Sequence, residues 1–259
     1  MGGIGKGVGI GGAVIILALS LITGRNLFSE LGVEPGVQTG APMTAADSAR
    51  EEPQVQFVSF VLDDAQNTWS QILARNNVQY QPAKLVLFRN STQSQCGVGQ
   101  SAMGPFYCPL DQKVYIDLGF YDELQKRYGA AGDFAQAYVL AHEIGHHVQH
   151  VLGTDSQVRQ AQQTNPDRAN ELSVRTELQA DCYAGVWASS TQRRDMLEAG
   201  DVDEALGAAA SVGDDRIQQQ SGRGVNVDAF THGSAAQRAD WFKRGFQSGD
   251  PRTCDTFGA

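Results

Sequence analysis

The sequence has few basic residues and no long run of them. Lysine and arginine number 20 against 29 acidic residues, which gives a net charge of −9 and a pI near 5.0. This balance argues against nucleic acid or an anionic lipid surface as the principal partner. The 259 residues, of which 41% are hydrophobic and 19% charged, have the composition of a globular protein with a sizeable core.

Charge is also absent from residues 8–22, which read VGIGGAVIILALSLI between Lys6 and Arg25. A stretch of this length lies at the short end for a membrane-spanning helix and also suits a signal sequence. No cleavage site of small residues follows it, so we expect an uncleaved transmembrane signal anchor. A buried helix of the domain is the alternative, which the glycine-rich approach disfavours.

Residues after the anchor mix glycine, proline, small and acidic residues without a period, which predicts a flexible linker. The chain is therefore expected to divide into a short N-terminal segment (1–7), a transmembrane anchor (8–24), a linker (25–54) and one domain (55–259).

Cysteine is scarce, and none of the four cysteines forms a C-x-x-C pair, which argues against a cysteine-ligated zinc site. An even number beyond a membrane anchor is typical of two disulfides formed in an oxidising compartment. Three pairings are possible. Closeness in sequence favours Cys96 with Cys108, which leaves Cys182 with Cys254. Four buried free thiols are the alternative.

Periodicity predicts an α+β domain that is mostly helical. Asp133 and Gly153 are the expected ends of a central helix, and Ser234 and Gln237 form a capping box that opens the last helix. We predict helices over 55–76, 120–128, 133–152, from 165 onward, over 202–219 and after 234, strands over 84–89 and 113–118, and a loop over 97–109.

The central helix carries an H-E-x-x-H motif at 142–146. On a helix, positions i and i+4 share a face, so His142 and His146 can offer two imidazole nitrogens to one Zn²⁺. Glu143 lies one residue round the turn, where it can take a proton from a water that the metal activates. Gly145 leaves room for another backbone. A solvated, histidine-rich helix face is the alternative.

A catalytic zinc site commonly has three protein ligands, and Glu177 is the candidate for the third. Glu177 and Asp181 are again i and i+4 on one helix face, so Asp181 can accept the second N–H of a liganding imidazole. The neighbours Leu178, Ala180 and Cys182 indicate that this stretch is buried, where unpaired acids are costly.

His147 and His150 are rival ligands. His147 points about 100° away from His146 on an ideal helix. His150 could chelate with His146, but Glu143 would then be badly placed for water. We expect both to be structural or polar-face histidines.

His232 and Arg238 lie at the start of the last helix and are candidates for a catalytic role. His232 could donate a hydrogen bond to the oxyanion that forms when water attacks a peptide carbonyl, and Arg238 could add positive charge there. A histidine that is satisfied at a loop–helix junction is the alternative.

These motifs resemble the gluzincin arrangement, and more closely the bacterial neutral zinc metallopeptidase family, over roughly residues 50–257. The resemblance implies a zincin-like core with a small sheet beside the H-E-x-x-H helix, and one Zn²⁺ ion. A weaker similarity links Thr231-His232 and Arg238 to the CAAX-prenyl-protease-like membrane zinc peptidases. In those proteins a proline usually follows the histidine, where this sequence has Gly233. The stretches that carry the main resemblance are GPFYCP at 104–109, VYIDL at 114–118, HEIGHHVQ at 142–149, ELQADCYAG at 177–185, THG at 231–233, GDP at 249–251 and CDTF at 254–257.

The sequence therefore predicts a membrane-anchored zinc endopeptidase with a peptide or protein substrate and no nucleic-acid partner. Its domain is expected on the outer side of the bacterial cytoplasmic membrane. Two alternatives remain open, namely a catalytically silent zinc-containing binding or assembly module at the cell envelope, and a hydrolase of non-peptide amides.

Overall fold

The structure, a computed structural model, describes residues 45–100, 104–120, 132–222 and 224–258. The predicted anchor over 8–24, most of the predicted linker and nearly all of the predicted helix over 120–128 lie outside these residues. Among the described residues, no helix is both long and apolar enough to cross a bilayer.

The described residues contain seven α-helices with complete bounds and five short strands, so the fold is α+β and mostly helical, as predicted. The helices are α1 (Ala45–Ala74), α2 (Asp133–Val151), α3 (Thr154–Thr164), α4 (Ala169–Arg193), α5 (Asp201–Ser211), α6 (Asp214–Gln220) and α7 (Ala235–Ser248). The strands are β1 (Lys84–Phe88), β2 (Ser91–Ser94), β3 (Gly97–Gln100), β4 (Phe106–Cys108) and β5 (Lys113–Asp117).

A three-stranded mixed sheet lies beside α2. Its order is β1-β5-β4, with β1 parallel and β4 antiparallel to β5, while β2 and β3 form a separate hairpin. Val114 and Ile116 of β5 are fully buried in the same core as α2, because alternate residues of a strand point to one face. This packing places β4, at one edge of the sheet, next to the helix that carries the H-E-x-x-H motif.

Glycine permits the helices of the core to approach closely. A Cβ atom on Gly145 of α2 would lie 2.9 Å from the carbonyl oxygen of Ala180 on α4. One on Gly185 of α4 would lie 2.0 Å from the carbonyl oxygen of Phe242 on α7. Real Cβ atoms essentially never come within 3 Å of another heavy atom, so these contacts require glycine. They let α4 approach both α2 and α7 closely.

The first helix begins ten residues earlier than the periodicity predicted, at Ala45, and continues through Pro53. Residues 45–54 of the predicted linker are therefore helical. A tertiary contact explains the difference, because the buried side chain of Glu51 forms an ion pair with Arg89 at the end of β1. Local composition cannot reveal such a partner, and Pro53 by itself argues against a helix, because an interior proline removes a backbone hydrogen bond and clashes with the preceding turn.

The predicted loop over 97–109 contains β3 and β4. Both strands are too short to show an alternating pattern, and they exist because each pairs with a neighbouring strand. The Cys96–Cys108 disulfide joins the hairpin to β4, and Cys182–Cys254 joins α4 to the C-terminal turn. These are the two pairs that closeness in sequence favoured, and all four cysteines are bonded.

Three further helical segments differ from the predictions. The polar helix α3 was not predicted, since only Val158 is buried. The long helix α4 begins at Ala169, after a separate 3₁₀ turn at Pro166–Arg168. The single helix predicted over 202–219 is interrupted at Gly213, where a Cβ atom would lie 2.2 Å from the backbone nitrogen of Ala235. The close approach of α7 thus separates α5 from α6.

The cap of α2 is Gly132, and Asp133 is the first helical residue with no capping bond of its own. The carboxylate of Glu204 on α5 instead accepts a hydrogen bond from the backbone N–H of Phe134, at 3.2 Å. Glu204 itself lies in the first turn of α5. Its role at the start of α2 is a tertiary contact that spans 70 residues of sequence.

Candidate metal centre

His142, His146 and Glu177 lie together in the structure, although α2 and α4 are separate helices. One ligand atom of each lies within 4.8 Å of the other two. His142 Nε2 is 3.2 Å from Glu177 Oε2, and His146 Nε2 is 3.4 Å from Glu177 Oε1. The two imidazoles face the carboxylate from one side, as their i and i+4 positions require.

The close contact of α2 with α4 explains this geometry. Gly145, inside the motif, touches the backbone of Ala180 without a side chain between the helices. Glu177 lies one turn of α4 before Ala180, so its carboxylate reaches the face that carries His142 and His146. Gly145 thus permits the close helix contact that lets Glu177 reach both histidines.

These donors fit Zn²⁺. Zinc–nitrogen and zinc–oxygen bonds of about 2.0–2.1 Å in a tetrahedron separate neighbouring ligand atoms by about 3.3 Å. His142 Nε2 and His146 Nε2 each lie near that distance from one oxygen of Glu177, at 3.2 Å from Oε2 and 3.4 Å from Oε1. Two imidazoles and one carboxylate are also a donor set found in catalytic zinc sites, which leave a coordination position for water or substrate. The three residues could therefore hold one ion.

Asp181 is fully buried and receives hydrogen bonds from three side chains. His142 Nδ1 lies 2.8 Å from its Oδ1, and the Tyr138 hydroxyl donates to the same oxygen. Arg238 donates from Nε at 2.9 Å to Oδ2 and from Nη2 at 3.0 Å to Oδ1. Asp181 therefore holds the imidazole of His142 with Nε2 directed at Glu177, as its position one turn after Glu177 led us to expect.

The carboxylates make the centre attractive to a cation. Burial lowers the pKa of His142, but Asp181 and Glu177 outweigh burial and raise it to about 10. Burial raises the pKa of Glu177, but His146 and His142 outweigh burial and hold it well below its usual range. Glu177 is thus a carboxylate at neutral pH, and concentrated negative charge of this kind favours a divalent ion.

Glu143 is buried beside the three candidate ligands and is not one of them. Burial raises its pKa, while His146, His142 and the backbone N–H of Tyr107 each lower it. A carboxylate with a raised pKa is a better proton acceptor near neutral pH than an exposed one. Tyr107 belongs to β4, so the edge strand orients the candidate base.

The rival histidines point elsewhere. His147 is fully buried between the Tyr107 hydroxyl, 2.9 Å from Nδ1, and the carbonyl oxygen of Gln81, 2.6 Å from Nε2. His150 Nδ1 contacts the carboxylate of Asp155 at 2.9 Å. His147 links α2 to β4, and neither imidazole belongs to the group that could hold a metal ion.

His232 is held by Asp214, the first residue of α6. One oxygen of Asp214 accepts the backbone N–H groups of Thr231, His232 and Gly233, at 2.7, 2.6 and 3.1 Å. The other oxygen lies 3.2 Å from His232 Nδ1. This hydrogen bond to Asp214 outweighs burial and raises the pKa of His232. The imidazole is therefore oriented from its Nδ1 side, and half of it is exposed.

Arg238 is buried, and its strongest contacts are with Asp181. Its Nη2 lies 3.9 Å from Glu177 Oε2. The guanidinium thus lies behind His142 and Glu177, and the contacts favour a positioning role over the direct contact with an oxyanion that the sequence led us to expect.

A cleft of about 1020 Å³ opens over the centre. Its walls include the candidate ligands, Glu143 and His232, together with apolar side chains from β4, α2 and α6. Among the apolar wall residues are Phe106, Tyr107, Phe120, Val139, Val212 and Ile217. The centre is therefore accessible to an extended molecule larger than water.

Sequence reasoning missed four residues that position the centre. Tyr138, one turn before His142, and Gln149, three residues after His146, lie on the motif helix, where helical spacing was an available signal. Tyr107 and Asp214 are remote in sequence. Only the GPFYCP stretch, noted for its resemblance, gave any indication of Tyr107.

The comparisons with known proteins agree with this geometry. The family model described as "Putative neutral zinc metallopeptidase" matches residues 1–257. The chain belongs to this family. Zn²⁺ is the cofactor that the family and the His-His-Glu group both indicate, and membership in a peptidase family implies a peptide or protein substrate. The weaker similarity to CAAX-prenyl-protease-like peptidases is not shown by these comparisons.

Relatives in this zinc metallopeptidase family include the uncharacterized protein YpfJ of Escherichia coli K12. It is 50% identical over 254 residues, which cover 95% of this chain and 87% of YpfJ. The uncharacterized protein Rv2575 of Mycobacterium tuberculosis is 48% identical over 184 residues, or 67% of this chain and 61% of the relative. No solved structure matches.

Proposed function

We propose that this protein is a zinc-dependent endopeptidase. The observation that carries the proposal is the meeting of His142, His146 and Glu177 beside the buried carboxylate of Glu143 in an open cleft. When bound, Zn²⁺ supplies the Lewis acidity that activates water and polarises a carbonyl group. The small sheet beside α2 supports the zincin-like core that the family resemblance implies.

The protein's own residues divide the remaining work. Glu143 takes a proton from the attacking water and returns it to the leaving amine, which its buried position and raised pKa favour. His232, whose Nδ1 donates to Asp214 and whose pKa that hydrogen bond raises, acts as an imidazolium and donates from Nε2 to the oxygen of the scissile carbonyl as negative charge develops there. Asp181 and Arg238 hold His142 in place.

The central experiment substitutes Glu143→Gln, which keeps the shape of the side chain but removes the proton acceptor. We expect full zinc content and loss of cleavage of an unfolded protein substrate by at least a hundredfold, on the order of what a general base contributes. The matched control is Glu171→Gln, an exposed glutamate on α4, which should cleave normally. Normal cleavage by Glu143→Gln would overturn the assignment of the base.

Metal analysis tests the ligands independently of activity. Near-stoichiometric zinc in the parent protein should be lost in both His146→Ala and Glu177→Ala. If zinc is present but no peptide or protein is cleaved in a chelator-sensitive way, the protein is a zinc-containing binding module. Parallel assays on cell-wall fragments would identify a hydrolase of non-peptide amides.

We further propose that residues 8–24 anchor the protein in the bacterial cytoplasmic membrane, with the peptidase domain outside the cytoplasm. The uncharged stretch and the two disulfides support this location. Protease treatment of spheroplasts should degrade the domain while a cytoplasmic marker survives. Protection of the domain from the protease would contradict the proposed orientation.

A further inference from the structure

Gln149 is a buried glutamine on α2 that contacts one of the candidate zinc ligands. Its Oε1 lies 2.8 Å from His146 Nδ1, while its Nε2 donates to the carbonyl oxygen of Thr176 at 2.7 Å and to Gln179 Oε1 at 3.1 Å. Only 1% of the residue is exposed. Each polar atom of the side chain thus has a partner inside the protein.

These contacts determine which way each amide points. A backbone carbonyl can only accept a hydrogen bond, so the group of Gln149 that faces Thr176 must be the amide nitrogen. Gln179 is oriented in the same way, because its Nε2 donates to the carbonyl oxygen of Cys254 at 3.0 Å. The Oε1 atom of Gln179 therefore faces Gln149 and can only accept a hydrogen bond from it. This is a second, independent reason to assign the facing atom of Gln149 as the amide nitrogen.

The orientation of Gln149 determines the proton position on His146. Its Oε1 faces the imidazole and can only accept, so Nδ1 of His146 must carry the hydrogen. Nε2 of a neutral imidazole is then left with its lone pair, and this is the atom that lies 3.4 Å from Glu177 Oε1. The Nε2 lone pair of His146 therefore points to the side where the metal would bind.

We propose that Gln149 is a positioning residue of the metal centre: held by Thr176 and by Gln179, which Cys254 orients, its amide fixes the tautomer and the ring orientation of His146 for zinc. The proposal rests on the zinc site of the proposed function. It extends that site to a chain of hydrogen bonds that runs from Gln149 on α2 through Gln179 on α4 to the carbonyl oxygen of Cys254. The Cys182–Cys254 disulfide connects Cys254 covalently to α4.

The two liganding imidazoles are thus supported differently. His142 has the buried carboxylate of Asp181 behind it, whereas His146 has a neutral amide. A second carboxylate at position 149 would oppose the carbonyl oxygen of Thr176 and Gln179 Oε1, both of which accept from the amide nitrogen of Gln149. Glutamine satisfies these two acceptors and His146 together, which a carboxylate cannot do.

The test measures zinc affinity by competition with a chelator of known affinity, on the full-length protein. Gln149→Met has a similar size but offers His146 no acceptor, and we expect it to bind zinc about 10- to 100-fold more weakly. Gln149→Glu keeps an acceptor, so its zinc affinity should equal or exceed that of the parent, although both variants should be less stable to urea.

A matched control is Gln162→Met. Gln162 on α3 also donates to a backbone carbonyl and to a side chain of α4, namely Ala169 and Ser173, but contacts no candidate ligand. Its zinc affinity should be unchanged. Nitrogen NMR of the zinc-loaded parent should show the hydrogen of His146 on Nδ1.

Equal zinc affinity in Gln149→Met and the parent would overturn the proposal, as would equally weak binding in Gln149→Met and Gln149→Glu. A hydrogen on Nε2 of His146 in the NMR experiment would overturn it even if a variant failed to fold. Absence of zinc from the parent would remove the proposed function itself. Zinc binding without peptidase activity would remove only the catalytic proposal and leave the role of Gln149 intact.

Discussion

Arg238 of α7 binds Asp181 of α4 through two nitrogen atoms, Nε at 2.9 Å and Nη2 at 3.0 Å. Both side chains are buried, and Asp181 in turn contacts Nδ1 of His142. The last helix of the protein is thus connected to a candidate zinc ligand on α2 by one carboxylate. Stability and metal binding should therefore depend on the same ion pair.

Removal of the Arg238 side chain should lower the stability of the folded protein. Arg238→Met leaves the Asp181 carboxylate buried without its cation, and we expect the free energy of unfolding to fall by about 3 to 5 kcal/mol in urea denaturation. Arg168→Met is the matched control, because Arg168 binds Glu171 in the same two-pronged way but at the exposed surface. A small change in both variants would show that burial does not make the pair important.

Gly145 should tolerate no side chain. Gly145→Ala places a Cβ atom 2.9 Å from the Ala180 carbonyl oxygen, so α2 and α4 must separate, and we expect a loss of about 1 to 3 kcal/mol of stability. Gly207→Ala on the exposed face of α5 meets nothing within 4 Å and should stabilise by about 0.4–1 kcal/mol. Urea unfolding of the two variants tests the contrast, and similar effects would contradict the helix contact.

The Asp214–His232 pair predicts a pH-dependent contribution to stability. The hydrogen bond to Asp214 raises the pKa of His232, so the contribution of His232 is present below about pH 6.5 and is lost as pH rises through the raised pKa. Burial raises the pKa of Asp214, but its hydrogen bonds to His232 lower it below 3.8 overall. The contribution of Asp214 is therefore present above that value and is lost in stronger acid.

Comparison with Asp214→Asn isolates this effect. At saturating zinc, the difference in unfolding free energy between parent and variant should be largest between about pH 4 and 6.5 and should shrink on either side. Denaturant unfolding at a series of pH values measures it. A difference that is constant with pH would mean that the two groups do not stabilise each other's charge.

The two disulfides should differ in their contribution to stability. Cys182–Cys254 closes a loop with a sequence separation of 72, against 12 for Cys96–Cys108. The loss of loop-closure entropy in the unfolded chain corresponds to about 4 kcal/mol for the longer loop and about 3 kcal/mol for the shorter one. Thermal unfolding of the two paired Cys→Ala variants checks the order, and a larger loss for Cys96–Cys108 would reverse it.

The central part of the site could be predicted from the spacing of residues within single helices. The i and i+4 positions of His142 and His146, and of Glu177 and Asp181, place each pair on one helix face wherever those helices lie. Because a helix has a fixed period, these relationships could be predicted from sequence. The capping box at Ser234 was predicted for the same reason and is present.

Contacts between distant segments could not be predicted in this way. The interruption at Gly213, the early start of α1 and the strand β4 each depend on a partner far away in the chain. Propensity and periodicity describe a segment by itself, so elements stabilised by tertiary pairing give a weak local signal. The orientation of Arg238 towards Asp181 belongs to the same class.

The sequence by itself determined the chemical inventory of this protein, namely two imidazoles and a neighbouring carboxylate on one helix, a second acidic pair on another, and four cysteines. Only the tertiary structure decided that Glu177 reaches both histidines, that Arg238 stands behind Asp181, and that Gln149 rather than a carboxylate supports His146. Helical period is a property of the local backbone, whereas these contacts exist only after buried helices have packed and excluded water.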